Sequence, residues 1–148
     1  MKSSLNYGLR VLFTVIVSVA LLMAQTSVKT NYETTKTTIL KGVVAGFTWA
    51  NPQSFILVEA TDTGKTEMWA VEGSSAAALT RRGWSRTTVK LGDPITISVF
   101  SRRAGTLAEE HLASFPQRVT DLAKSGHLVY GTEVLLMDGK RMQFGEKE

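Results

Sequence analysis

The sequence predicts a mainly β fold: a small OB-like antiparallel barrel, closed or partly open. Three observations predict it. After residue 37 the apolar residues alternate at strand period. The strand candidates follow one another mostly through tight turns, as in an antiparallel sheet and not a parallel α/β sheet. One short helix falls between the third and fourth strands, the order of an OB-type barrel. A plain β-sandwich is the runner-up.

The 148 residues divide into three parts. Met1–Arg10 is polar and carries Lys2 and Arg10. Val11–Ala24 is an uncharged apolar run, followed by Gln25, Thr26 and Ser27. That order is the n-, h- and c-region of a secretory signal peptide over 1–26. The run is shorter than the roughly 20 residues of a membrane-crossing helix. The competing reading is a retained N-terminal anchor. Residues 27–36 are polar and Thr-rich, and read as a disordered lead-in. A single barrel domain occupies 37–145.

Within that domain Thr37–Trp49 reads as a long strand. Val43, Ala45, Phe47 and Trp49 are expected on one face. Gly42 and Gly46 fall on the other, where glycine permits a bulge or tight coiling. Asn51-Pro52 breaks the strand, because proline has no N–H to donate. Ser54–Ala60 and Thr66–Val71 form a hairpin around Asp62-Thr63-Gly64-Lys65. Ser74–Arg82 is predicted helical, with Ser74 as N-cap, Gly83 at the left-handed C′ position and Trp84 at C″. Gly92-Asp93-Pro94 is a turn before the strand Ile95–Phe100. Over 106–125 a helical insertion is predicted: Leu112, Phe115, Val119 and Leu122 form an apolar stripe, and Thr106 with Glu109 has capping-box spacing. Pro116 must kink or split it. Leu128–Met137, the turn Asp138-Gly139 and Lys140–Phe144 make a closing hairpin.

Composition narrows the chemistry. Cysteine is absent, which excludes disulfides, a thiol nucleophile and a zinc–thiolate site. Two of the 17 basic residues lie in the leader, leaving 15 against 13 acidic. So small an excess, behind an export signal, argues against nucleic acid. His111 and His127 have no ligand spacing, so neither a metal nor a cofactor is expected. No Gly-x-Ser-x-Gly elbow is present and Glu109-Glu110 has no second carboxylate motif, so no catalytic residue is assigned.

Three motifs stand out: Gly42-Val43 with Trp49-Ala50-Asn51-Pro52, Trp69-Ala70-Val71-Glu72-Gly73, and Arg81-Arg82-Gly83-Trp84. In these, and in Gly92-Asp93 and Asp138-Gly139, the chain resembles a family of small secreted bacterial proteins known only as a domain of unknown function. Gln53 stands where that family has histidine after Asn-Pro, and 106–124 looks like an insertion. The resemblance implies export and one barrel-like domain. It implies no activity.

The same motifs give a candidate ligand corner: Trp49, Asn51, Pro52, Gln53, Trp69, Glu72, Arg81, Arg82 and Trp84. Tryptophans offer flat contact area, and arginine grips a carboxylate or phosphate with two N–H groups. The plainer alternative is that Trp49 and Trp69 fill the core, Trp84 caps the helix, and Arg81 or Arg82 pairs with Glu72. The expected function is an exported, non-enzymatic binding module for a small anionic ligand. The alternative is an assembly protein of the cell envelope that contacts an envelope partner through the inserted helix. A hydrolase would require a histidine within hydrogen-bond reach of a serine or carboxylate in a pocket.

Overall fold

The structure, a computed structural model, describes residues 31–146. The expected signal peptide and residues 27–30 of the lead-in lie outside the described residues. From Tyr32 onward that lead-in is instead the start of a strand, β1 (Tyr32–Thr48). Tyr32 is buried against Phe100 and Tyr130, which holds the segment in place.

The chain continues through β2 (Phe55–Asp62), β3 (Lys65–Glu72), α1 (Ala76–Arg81), β4 (Pro94–Arg102), α2 (Glu109–Leu112), α3 (Gln117–Lys124), β5 (Leu128–Leu135) and β6 (Arg141–Gln143). The strands lie in the order β3-β2-β1-β4-β5-β6, and β3 also pairs with β5. Five strands therefore close a barrel with a helix between β3 and β4, the OB-like architecture the element order predicts. β6 adds to β5 outside the ring.

One expectation changes. The closing pair, Ala70–Glu72 with Leu128–Tyr130, is parallel. Strand directions cannot alternate all the way around a ring of five, so one junction must be parallel. The barrel is mixed.

β1 pairs with β2 along one edge and β4 along the other. It coils to do so, and Gly42 permits the close approach: a Cβ there would lie 2.3 Å from the Glu59 carbonyl oxygen. The register with β2 slips between Val44 and Gly46, a bulge. The slip overturns the expected single face of Val43, Ala45, Phe47 and Trp49. Val44 and Phe47 now pack with the interior, Ala45 packs outside, and Val43 is exposed. One extra residue reverses which parity faces inward.

Two apolar layers result. The barrel interior holds Val44, Ile56, Val58, Val71, Ile97 and Val134 together with Leu79, Trp84 and Phe144. A second layer lies outside the sheet, where Leu112, Phe115, Val119 and Ala123 cover Phe55, Leu57, Ala70 and Leu128. Pro116 does split the insertion, ending up as the residue before α3. The expected capping box does not form. Ala108 precedes α2, and the Thr106 hydroxyl donates to the carbonyls of Arg103 and Asn31.

α1 ends as its sequence dictates. Gly83 has φ 83°, the Gly83 N–H donates to Thr80 O and the Trp84 N–H donates to Leu79 O. That is the paired-bond termination that glycine permits. Its start differs by one residue: Ser75, not Ser74, accepts the Ala78 N–H. Ser74 Oγ instead accepts a bond from Arg82.

Candidate functional site

The expected corner does not form one surface. Trp84 is buried in the barrel core, and its indole N–H donates to Gln143 O at 2.8 Å. Trp49 is half-buried, edge-on to Phe47 with ring centroids 5.6 Å apart. Arg82 is committed internally. One guanidinium nitrogen bonds Ser74 Oγ at 2.8 Å and another bonds Glu146 at 2.6 Å, tying the C-terminal segment to α1. Arg81 is exposed. Asn51 Oδ1 accepts the Ala77 N–H and Ala50 O accepts the Ala76 N–H, so the Asn-Pro loop caps α1. Pro52 is exposed and Gln53 half-buried in that loop. Trp84 closes α1 through its backbone N–H, as the plainer reading has it, and its indole is core besides; Trp49 and Trp69 pack against the core only in part, and Arg82 pairs with Glu146 and not Glu72.

Glu72 lies elsewhere, at the end of β3 opposite Tyr130 of β5. It is buried, and the Tyr32 hydroxyl donates to its carboxylate at 2.5 Å. Burial pushes the Glu72 carboxyl above its ordinary range. The Tyr32 bond and the charges of His111 and Arg102 pull the other way without cancelling it. Burial, reinforced by Glu72, also holds the Tyr32 hydroxyl well above the usual tyrosine range. Arg102 stacks over the Tyr32 ring at 5.6 Å and donates to Thr106 O at 2.6 Å. Its Nε and one terminal nitrogen are buried without a hydrogen-bond partner. The ring face supplies part of what those N–H groups lack. Tyr32 and Arg102 escaped sequence reasoning because their partners are 40 and 70 residues away from them along the chain.

Trp69 is half-buried and packs against the barrel core, and it also lines two clefts. The barrel mouth beside the β2–β3 hairpin is a hollow of about 610 Å³. Its floor is apolar (Leu40, Ala60, Val99, Val129 and Trp69), and its rim carries Thr38, Thr61, Ser101, Lys41, Lys65 and Glu67. A second cleft of about 330 Å³ starts at Trp69 and runs toward Arg102, Arg103 and Lys124. Together the clefts are lined by five cationic side chains and one carboxylate. Lys65 is held by Glu67 at 2.6 Å, which keeps the Glu67 carboxyl below its ordinary range. Arg103 and Lys124 face Glu33 and Glu109 at 3.7 and 3.8 Å. These three pairs lie at exposed positions and hold their cations weakly.

His127 stands beside Trp69, ring centroids 4.8 Å apart, with Ser125 Oγ 3.0 Å from Nδ1 and Glu67 3.4 Å from Nε2. A serine, a histidine and a carboxylate therefore meet, but His127 and Ser125 line neither cleft, so the condition set for a hydrolase is met only in part. The arrangement does not suit acyl transfer. Ser125 Oγ donates to Leu122 O. The N–H groups of Ser125, Gly126 and His127 are all bonded to carbonyls of α3, so none of these three is free to stabilise an oxyanion. The group closes the C-terminus of α3.

Among the described residues, no three His, Asp or Glu side chains converge as metal ligands. Nor is any helix there long and apolar enough to cross a membrane.

A small mixed barrel with a helical insertion and an open, cation-lined mouth defines the class. The model of the family of unknown function DUF6152 matches residues 14–110, about two thirds of the chain, and the chain belongs to that family. The match runs through β4 and stops inside α2, so α3, β5 and β6 lie beyond it. No curated protein and no solved structure matches the chain.

Proposed function

We propose that the chain is an exported, non-enzymatic binding module, periplasmic or secreted, that takes an anionic ligand in the clefts at Trp69. The observation that carries this reading is the lining: five cations to one carboxylate around an apolar floor with a tryptophan wall. An apolar floor with a few charged groups at its edge is the usual make-up of a ligand site. The leader and the absence of cysteine fit a domain that works outside the cytoplasm. Assembly through the inserted helix has less support, because the apolar stripe of α2 and α3 is spent on the barrel.

The test is a thermal-shift screen with polyglutamate, heparin fragments and anionic lipid vesicles. At least one is expected to raise the melting temperature, and the shift should disappear in Trp69→Ala and in the double variant Lys41→Glu/Lys124→Glu. No shift with any probe, or a shift that survives both variants, overturns the proposal.

A further inference from the structure

The wall of the barrel is incompletely closed. β3 pairs with β2 along its whole length, from Lys65 to Glu72. On its other edge β5 meets only Ala70, Val71 and Glu72, and His127 O accepts the Ala70 N–H at 2.8 Å. Backbone groups of a strand alternate sides with period two. The N–H and C=O of Thr66 and Met68 therefore point the same way as those of Ala70, past the start of β5. Among the described residues nothing bonds them. The free edge, Lys65–Trp69, is about 17 Å long at ~3.4 Å per residue.

Such an edge is a template for another strand, and proteins normally blunt it with a bulge, a proline or a covering loop. Over Lys65–Trp69 there is no bulge and no proline; the edge carries the charged pair Lys65–Glu67, and His127 packs on its Trp69 end. The two clefts meet at Trp69 and run beside the edge. In strand addition the main-chain bonds supply affinity, while pockets beside the edge read alternate side chains. The mouth offers an apolar floor for one side chain, and Arg103 and Lys124 offer charge to its neighbours.

Taking the cleft reading as given, we infer that the ligand is an extended acidic segment of polypeptide, added as a strand to the free edge of β3. Main-chain pairing excludes glycans and lipids, which carry no alternating amides. The cationic lining selects acidic over basic sequences, and a second copy of this edge, paired antiparallel through Thr66 and Met68, would bring Glu67 against Glu67.

The probe is a labelled ten-residue peptide of alternating Glu and Leu, with a heparin hexasaccharide as an amide-free polyanion. Thr66→Pro deletes one outward donor without costing a bond to β2, since the Thr66 N–H faces away from that strand. Thr66→Ala keeps the donor. Thr66→Pro should weaken peptide binding at least tenfold and Thr66→Ala less than twofold. In the unsubstituted protein, peptide should slow hydrogen exchange at the Thr66 and Met68 amides, a readout that stands even if Thr66→Pro fails to fold. Equal binding by the two Thr66 variants, unchanged exchange at both amides, or tighter binding of heparin than of peptide overturns strand addition. If Trp69→Ala still abolishes binding in that case, the cleft reading survives. If Trp69→Ala and Lys41→Glu/Lys124→Glu also bind peptide unchanged, both fall.

Discussion

The Trp84 corner and the Trp69 mouth are built from the same residue types and end in opposite states. At the corner the indole N–H of Trp84 reaches Gln143 O, and Arg82 is taken up by Ser74 and Glu146. At the mouth Trp69 walls a cleft of about 610 Å³. Lys41 stands at its rim, and Lys65 has only a pair with Glu67 in which it is itself largely exposed. The difference lies in what the chain brings alongside. The last strand and the segment after it fold over the corner and occupy its donors. Nothing among the described residues crosses the mouth, because β5 begins only opposite Ala70. Aromatic and cationic residues together therefore do not mark a ligand site. Unoccupied ones do.

On that contrast, substitutions at the corner are expected to cost stability and those at the mouth to cost binding. The sharpest break would come from Trp84→Ala. Emptying so buried an indole should cost about 3–5 kcal/mol, read as a lowered urea midpoint. A loss below about 1 kcal/mol would mean that the corner is not core.

Glu72 tests the buried layer that the mouth lacks. Glu72→Ala leaves the Tyr32 hydroxyl buried without its acceptor and should cost about 1–3 kcal/mol. Glu72→Gln keeps an acceptor and should cost less. The pH profile carries a sign. Because burial raises the Glu72 carboxyl, its contribution is fully present below the ordinary glutamate range. It is lost as pH rises through the raised value. Unfolding free energies of the native chain should fall from about pH 4 upward, and Glu72→Gln should flatten that fall. A profile unchanged by the substitution would place the titration elsewhere.

Arg82→Ala should produce the smallest effect. Its partner Glu146 is largely exposed, so the ion pair itself adds little. The loss should be about 1 kcal/mol, with peptide binding at the mouth unchanged. Weakened binding would return Arg82 to the ligand site.

Much of this was legible along the chain where the deciding contacts are short. The termination of α1 at Gly83 and Trp84, the split at Pro116 and the Asp62–Lys65 hairpin each depend on residues within a turn of one another. The stripe of Leu112, Phe115 and Val119 was visible, and it faces a layer rather than solvent or a partner. The bulge near Ala45 was foreseen in kind, from Gly42 and Gly46. Its consequence was not, because one slipped residue exchanges the two faces of everything after it.

The sequence by itself determined the β-rich domain, the order of its elements and the termination of α1, since hydrophobic period and the glycine cap act over a few residues. Tertiary structure alone decided which tryptophan is core and which is open, and which arginine is spent. It also buried Glu72 against Tyr32 and left one edge of β3 unpaired over Lys65–Trp69. Those outcomes depend on barrel closure, which joins residues 40 to 70 positions apart and whose register no local pattern encodes.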